Sequence, residues 1–192
     1  MDSTPPSRPN AVRLAQAKIL EKPLYIDTET TGLDKSAEVI EISIVEFDGR
    51  IIFNSLIKPT QPIPLDAQRI HGIDNEMIRS APAWPVLWPQ IREIFYGRTI
   101  AAYNAPFDLK MMQQTHQRYR LPWRETLNML DVLLLYSDYK GVWDPYRRSM
   151  KYFKLEEAGS YFQIPLPNAH RSAADALLTR AVLHSIAGIS YE

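Results

Sequence analysis

The sequence predicts an α/β domain built on a mixed sheet, and three observations carry that expectation. Alternating apolar and polar residues between positions 39 and 57 surround an Asp48-Gly49 turn, which reads as a β-hairpin. A shorter apolar run, Pro23-Leu24-Tyr25-Ile26, precedes it and ends abruptly in polar residues. After position 99 strand-like and helix-like segments alternate, the signature of strands joined by helical crossovers.

Each element can be justified in order. Residues 1–9 hold three prolines among small polar residues, bury too little to order themselves, and are expected to be a disordered lead to a single domain over 10–192. A short helix is expected from Asn10, with Val12, Leu14, Ala15, Ile19 and Leu20 on one side. The strand at Leu24 follows, then the hairpin strands Val39 to Phe47 and Ile51 to Ile57. Pro59, Pro62 and Pro64 break regular pairing, and helical segments are expected over Asp66 to Arg79 and Trp84 to Tyr96. Thr99 to Tyr103 reads as a buried strand, and Pro106 suits the first turn of a helix running towards Tyr119. Leu130 to Tyr136 is a strand or the start of a helix, because periodicity does not separate the two over so short a run. Helices over about Leu155 to Phe162 and Ser172 to Ala187 close the chain.

Composition narrows the function classes. Lys and Arg number 22, and so do Asp and Glu, which excludes the global basic field of a protein that coats nucleic acid nonspecifically. There is no cysteine, hence no disulfide and no thiolate metal site. The N-terminus lacks a signal-peptide core and the longest apolar stretch, Val132 to Tyr136, is far too short to cross a bilayer, so a cytoplasmic protein without membrane contact is expected.

The chemistry is concentrated in three segments. Asp27-Thr28-Glu29-Thr30-Thr31-Gly32 sits at the end of the first strand, where alternate side chains share a face, so Asp27 and Glu29 point the same way. Asp-x-Glu alone is common, but five fixed positions recur by chance only about once per million positions. Tyr103-Asn104-Ala105-Pro106-Phe107-Asp108 puts a third carboxylate one turn inside a helix that starts where a strand ends. His170-Arg171-Ser172-Ala173-Ala174-Asp175 puts a fourth five residues after a histidine. Four clustered carboxylates stay ionised together only if cations neutralise them, and oxygen-only ligands favour Mg²⁺ or Mn²⁺ over zinc.

These segments resemble the three motifs of the DEDDh 3′-to-5′ exonuclease family, over about residues 23 to 187. The resemblance implies an RNase H-like fold, with a mixed five-stranded sheet of three antiparallel strands then two parallel ones, flanked by helices. It also implies a two-ion phosphodiesterase that releases nucleoside 5′-monophosphates from the 3′ end of single-stranded DNA or RNA. By that resemblance Asp27, Glu29, Asp108 and Asp175 are the metal ligands and His170 is the general base. Thr28, Thr30, Thr31, Gly32 and Leu33 would meet the 3′ end, Ala67 and His71 would line a loop over the terminal nucleotide, and Asn104 and Phe107 would border the same pocket. The family commonly has histidine where this chain has Tyr103, so Tyr103 is expected in the substrate site with an altered preference.

Two further readings stay open: a proofreading subunit held by a polymerase, and a catalytically silent nucleic-acid-binding module. The chain ends at Glu192, directly after the last expected helix, which argues against a polymerase-binding tail. The family includes dimers, so a homodimer is an allowed partner, although no interface signature stands out. His116 and His184 read as structural histidines. Finally, Lys110 to Lys154 carries nine Lys or Arg against four Asp or Glu, interleaved with eight aromatic residues. Its cations Arg147, Arg148 and Lys151 are the preferred candidates for contacts to a nucleic-acid strand.

Overall fold

The computed structural model describes residues 8–165 and 170–191. The sheet has the order β3-β2-β1-β4-β5, built from β1 (Leu24–Thr30), β2 (Val39–Val45), β3 (Ile51–Leu56), β4 (Thr99–Ala102) and β5 (Asn128–Asp131). β1, β2 and β3 are mutually antiparallel, whereas β4 runs parallel to β1 and β5 parallel to β4. The expected mixed five-stranded sheet is therefore what forms. Helices flank it: α1 (Arg8–Leu20), α2 (Leu65–His71), α3 (Trp84–Phe95), α4 (Ala105–Arg118), α5 (Val132–Lys140), α6 (Leu155–Tyr161) and α7 (Ser172–Ala187).

Strand alternation divides the core into two layers. Tyr25, Val45 and Ala101 face one side, where α1, α5, α6 and α7 pack through Ala15, Tyr136, Ala158 and Val182. Leu24, Ile26, Ile44 and Ile100 face the other, against Trp84, Ile91 and Phe95 of α3 and Met111 and Met112 of α4. His116 accepts the Trp84 indole N–H at 2.9 Å within this layer, and His184 lies 2.9 Å from the Ser190 carbonyl, so both are structural.

Several boundaries correct the sequence reading. α1 begins at Arg8, two residues before Asn10, and the rest of the expected disordered lead, 1–7, lies outside the described residues. Its buried face is Ala11, Ala15 and Ile19, while Leu14 and Leu20 are exposed, because small residues let α1 lie close against α7. The helix expected over Asp66 to Arg79 stops at His71, where Gly72 takes the left-handed conformation (φ 71°) that caps a helix C-terminus. The ambiguous run at Leu130 is both things: β5 ends at Asp131, whose carboxylate caps α5 by accepting the Leu133 N–H at 3.0 Å. A two-stranded ribbon was not anticipated, β6 (Trp143–Asp144) with β7 (Ser149–Met150). Its strands are two residues long, too short for periodicity to register.

Candidate active site

The site forms where the C-terminal ends of β1 and β4 meet the start of α7. On β1, Tyr25, Asp27 and Glu29 share the face that α7 covers, and Asp175 projects from the first turn of that helix. One oxygen from each of Asp27, Glu29 and Asp175 lies within 4.8 Å of the others. That spacing suits a divalent cation, and the donor set is all carboxylate oxygen.

Asp108 approaches from the opposite layer. It is buried on α4 and accepts the Thr28 hydroxyl at 2.8 Å, Thr28 being the residue between Asp27 and Glu29 that points away from α7. Thr28 lines a cavity on this side of β1, and its side chain is committed to orienting Asp108. Burial raises all four carboxyls: Glu29 to about 8, Asp108 to about 7, Asp175 to about 6, and Asp27 well above the usual carboxylate range, with the neighbouring carboxylates adding to burial at Asp27 and Glu29. Left without cations, the cluster resists ionisation. Cationic charge at its centre is the natural complement.

His170 is exposed, with φ of 65°, immediately before α7. It lines a cleft of about 610 Å³ together with Asp27, Asp175, Tyr103, Asn104 and Tyr152. Across β1 lies a second cavity of about 520 Å³, lined by Thr30, Thr31, Gly32, Leu33, Ala67, His71 and Phe107. A β-carbon on Gly32 would meet no protein atom within 4 Å, so the room it leaves belongs to that cavity. His71 accepts the Ile73 N–H on Nδ1 at 3.0 Å, and burial lowers its pKa. Its Nε2 makes no hydrogen bond by geometry, although the Thr30 carbonyl is close enough to favour the charged ring.

The expected residues thus fall into two neighbouring concavities rather than one. Phe107 borders the Thr30–His71 cavity, whereas Asn104 and Tyr103 border the His170 cleft, because the left-handed Asn104 (φ 69°) turns the chain between β4 and α4. Tyr103 donates its hydroxyl to the Phe153 carbonyl at 2.9 Å.

Sequence reasoning missed Glu41. It sits opposite Glu29 on β2, buried, and pairs with Arg171 at 2.6 Å while accepting the Ser172 N–H at 3.0 Å. Burial pushes Glu41 up, but Arg171 and Ser172 outweigh it and its pKa is lowered. The signal was present: a charged residue inside Val39-Ile40-Glu41-Ile42-Ser43-Ile44-Val45, a strand buried throughout, needs a partner.

Comparison with known proteins follows the same lines. The family profile described as Exonuclease (RNase_T) matches residues 24–183, nearly the whole sheet and its helices. The chain belongs to the exonuclease family. The exonuclease is 34% identical over 171 residues to the uncharacterized exonuclease CP81 of Escherichia phage 186, covering 85% of this chain and 87% of that one. It is 27% identical over 175 residues to the DNA polymerase III subunit epsilon of Rickettsia typhi, covering 86% of this chain and 73% of that one. Among solved structures, the nuclease domain of 3′hExo, a DEDDh family member bound to rAMP, superposes with a TM-score of 0.70 at 14% identity, covering 86% of this chain and 90% of that one. The exonuclease is accordingly a hydrolytic nuclease on an RNase H-like fold, and among its described residues no helix is long and apolar enough to cross a membrane.

Proposed function

We propose that the exonuclease hydrolyses single-stranded DNA or RNA from the 3′ end, one nucleoside 5′-monophosphate at a time, with two divalent cations, Mg²⁺ or Mn²⁺. The observation that carries this reading is the carboxylate trio of Asp27, Glu29 and Asp175 standing between two cavities. A terminal nucleotide fits the cavity of Thr30, Leu33, Ala67, His71 and Phe107, and the preceding nucleotide fits the His170 cleft. The scissile phosphate then lies over the carboxylates.

Each residue has a task in this reading. Asp27, Glu29 and Asp175 hold cations, with Asp108 supporting from behind through its Thr28-fixed carboxylate. When bound, such cations stabilise the negative charge that builds on the phosphoryl, attacking and leaving oxygens. His170 takes the proton from the attacking water as the new P–O bond forms, and the bond to the 3′ oxygen of the preceding nucleotide breaks. That oxygen takes up a proton from solvent. His71 Nε2 can donate to the terminal nucleotide. The 3′hExo nuclease domain, described as bound to rAMP, supports a mononucleotide product.

The likeness to a polymerase III epsilon subunit supports a second reading, in which the same activity works as the proofreading partner of a polymerase. A silent binding module fits less well, since all four carboxylates and His170 are retained. Digestion of 3′-labelled and 3′-blocked oligonucleotides, DNA and RNA, in Mg²⁺ and in Mn²⁺, tests the proposal. Mononucleotides should appear from the labelled ends only, and internal cuts or activity on blocked ends would overturn it.

A further inference from the structure

The β6/β7 ribbon carries apolar surface that the core does not use. Among its residues, 143–150, none is buried, Tyr146 is 98% exposed and Trp143 56% exposed. A two-stranded ribbon this short is marginal by itself. It is held at its turn by Asp144, which accepts the Tyr146 and Arg147 N–H groups, and at its base by the Lys151 N–H on the Val142 carbonyl at 2.8 Å. Beyond the base, Tyr103 fixes Phe153, whose ring packs edge-on to Tyr136 in the core. Tyr103 thereby ties the segment that leaves β7 to the end of β4.

Tyr152 connects this ribbon to the chemistry. It lines the His170 cleft, and it also lines a smaller depression shared with Trp143, Leu134 and Met150, so one aromatic surface runs from the carboxylates to the ribbon. The direction of a bound strand fits that surface. If the 3′-terminal nucleotide fills the cavity on the far side of β1, the rest of the strand must leave on the near side, across the His170 cleft. There it meets Tyr152, then Trp143, with Arg147 and Arg148 on the solvent-exposed turn. Glu156 and Glu157 also line the cleft, and the Glu157 carboxylate is engaged at the start of α6, accepting the Lys154 N–H at 2.7 Å.

We infer that the ribbon is a binding arm for the nucleotides upstream of the scissile phosphate, with bases stacking on Tyr152, Trp143 and Tyr146 and phosphates meeting Arg147 and Arg148, and with Tyr103 as the residue that positions it. This rests on the exonuclease reading above. Stacking on aromatic side chains is tolerant of base identity, so the arm confers grip on length rather than on sequence.

The test compares a trinucleotide with a single-stranded 20-mer, each 3′-labelled, for wild type, Trp143→Ala/Tyr146→Ala, Arg147→Ala/Arg148→Ala and Tyr103→Phe. The aromatic pair should raise KM for the 20-mer about tenfold with kcat preserved, and KM for the trinucleotide less than twofold. The arginine pair should also flatten the salt dependence of KM by a slope of about 1. Tyr103→Phe should reproduce the length-dependent rise in KM while melting remains a single cooperative transition. Equal effects on both lengths, or none, would overturn the arm, as would loss of a protein partner's binding with both KM values unmoved. Titration of a 5′-fluorescent 20-mer in EDTA reads the arm without cutting: weaker binding by the ribbon variants supports it and unchanged binding overturns it. If wild type cuts neither substrate, the exonuclease reading fails and this titration still decides the arm.

Discussion

The Arg171 guanidinium lies 2.6 Å from a carboxylate oxygen of Glu41, one residue beyond His170 and one strand away from Glu29. Its Nε adds contacts of 3.2 Å to both Glu41 oxygens, and the Ser172 hydroxyl meets that of Ser43 at 2.7 Å. Together these contacts dock the start of α7 on β2. They fix where His170 leaves the helix and how Asp175 faces Asp27. The same guanidinium also favours ionisation of Glu29, partly offsetting the carboxylates around it.

Breaking that pair should harm both fold and chemistry. Arg171→Ala leaves a buried carboxylate without its partner, a loss of about 3–5 kcal/mol for fully buried pairs. The Arg171 side chain is 45% exposed, so about 1–3 kcal/mol is expected here, read by chemical denaturation. Turnover should fall by about tenfold or more, and Arg171→Lys should recover stability better than activity. Wild-type kcat in Arg171→Ala would show that the docking does not position His170.

Replacing His170 by Ala should lower kcat by about 10²–10⁴-fold, the usual contribution of a general base. The metal-dependent gain in melting temperature should survive, because the carboxylates remain. Activity within a fewfold of wild type would remove His170 from the reaction.

Stability without metal should fall as pH rises. Glu29, Asp108 and Asp175 titrate near 8, 7 and 6 in the folded protein, above their ordinary carboxylate values. Between about pH 4 and 8 the folded state therefore retains protons that the unfolded chain has released, so unfolding is progressively favoured across that window. Melting in EDTA should drop by several degrees from pH 5 to 8. Mg²⁺ or Mn²⁺ should restore most at pH 8 and least at pH 5, and a flat, metal-insensitive profile would contradict the cluster's role.

Asp27→Asn removes the carboxylate that all its neighbours oppose. The metal-free protein should melt higher than wild type at pH 8, while nuclease activity falls by about 10³-fold or more. A variant that keeps its activity would sink the assignment of the site.

Thr28→Val deletes the hydroxyl that orients Asp108 at nearly constant volume. A stability loss of about 1–2 kcal/mol and a tenfold or greater loss of activity are expected, with Thr28→Ser retaining both. Full activity in Thr28→Val would make the hydrogen bond incidental.

How much of this was legible in the sequence depended on whether a signal was local. Four of the five sheet strands follow from apolar patterning and turn chemistry, which act over a few neighbouring residues, whereas β5 lies in a run that could equally begin a helix. Asp27 and Glu29 could be placed together because strand geometry alone aligns them. Glu41 and Arg171 are 130 residues apart, and only the fold brings them together. Thr28 carried the opposite lesson: alternation predicts that it points away from its neighbours, and the residue waiting on that side, Asp108, belongs to a helix whose register the sequence does not set. Of the aromatics between Lys110 and Lys154, Trp123 and Tyr136 pack inward while Trp143, Tyr146 and Tyr152 do not, a division set by tertiary packing.

The ladder between β1 and β2 slips after Glu29, where Thr30 pairs with Val39 and Ile40 is passed over. Upstream of the slip, pairing with β2 holds Asp27 and Glu29 in register; downstream, Thr31 is tied back to Glu38 by a backbone and a side-chain hydrogen bond, each 2.9 Å, and only Gly32 and Leu33 leave the sheet. A single chain segment is thereby divided into a part that tolerates no change and a part free to drift. Under the proposed function, exchange of residues 32 and 33 should retune which nucleic-acid end is accepted while the carboxylates of Asp27 and Glu29 keep their geometry.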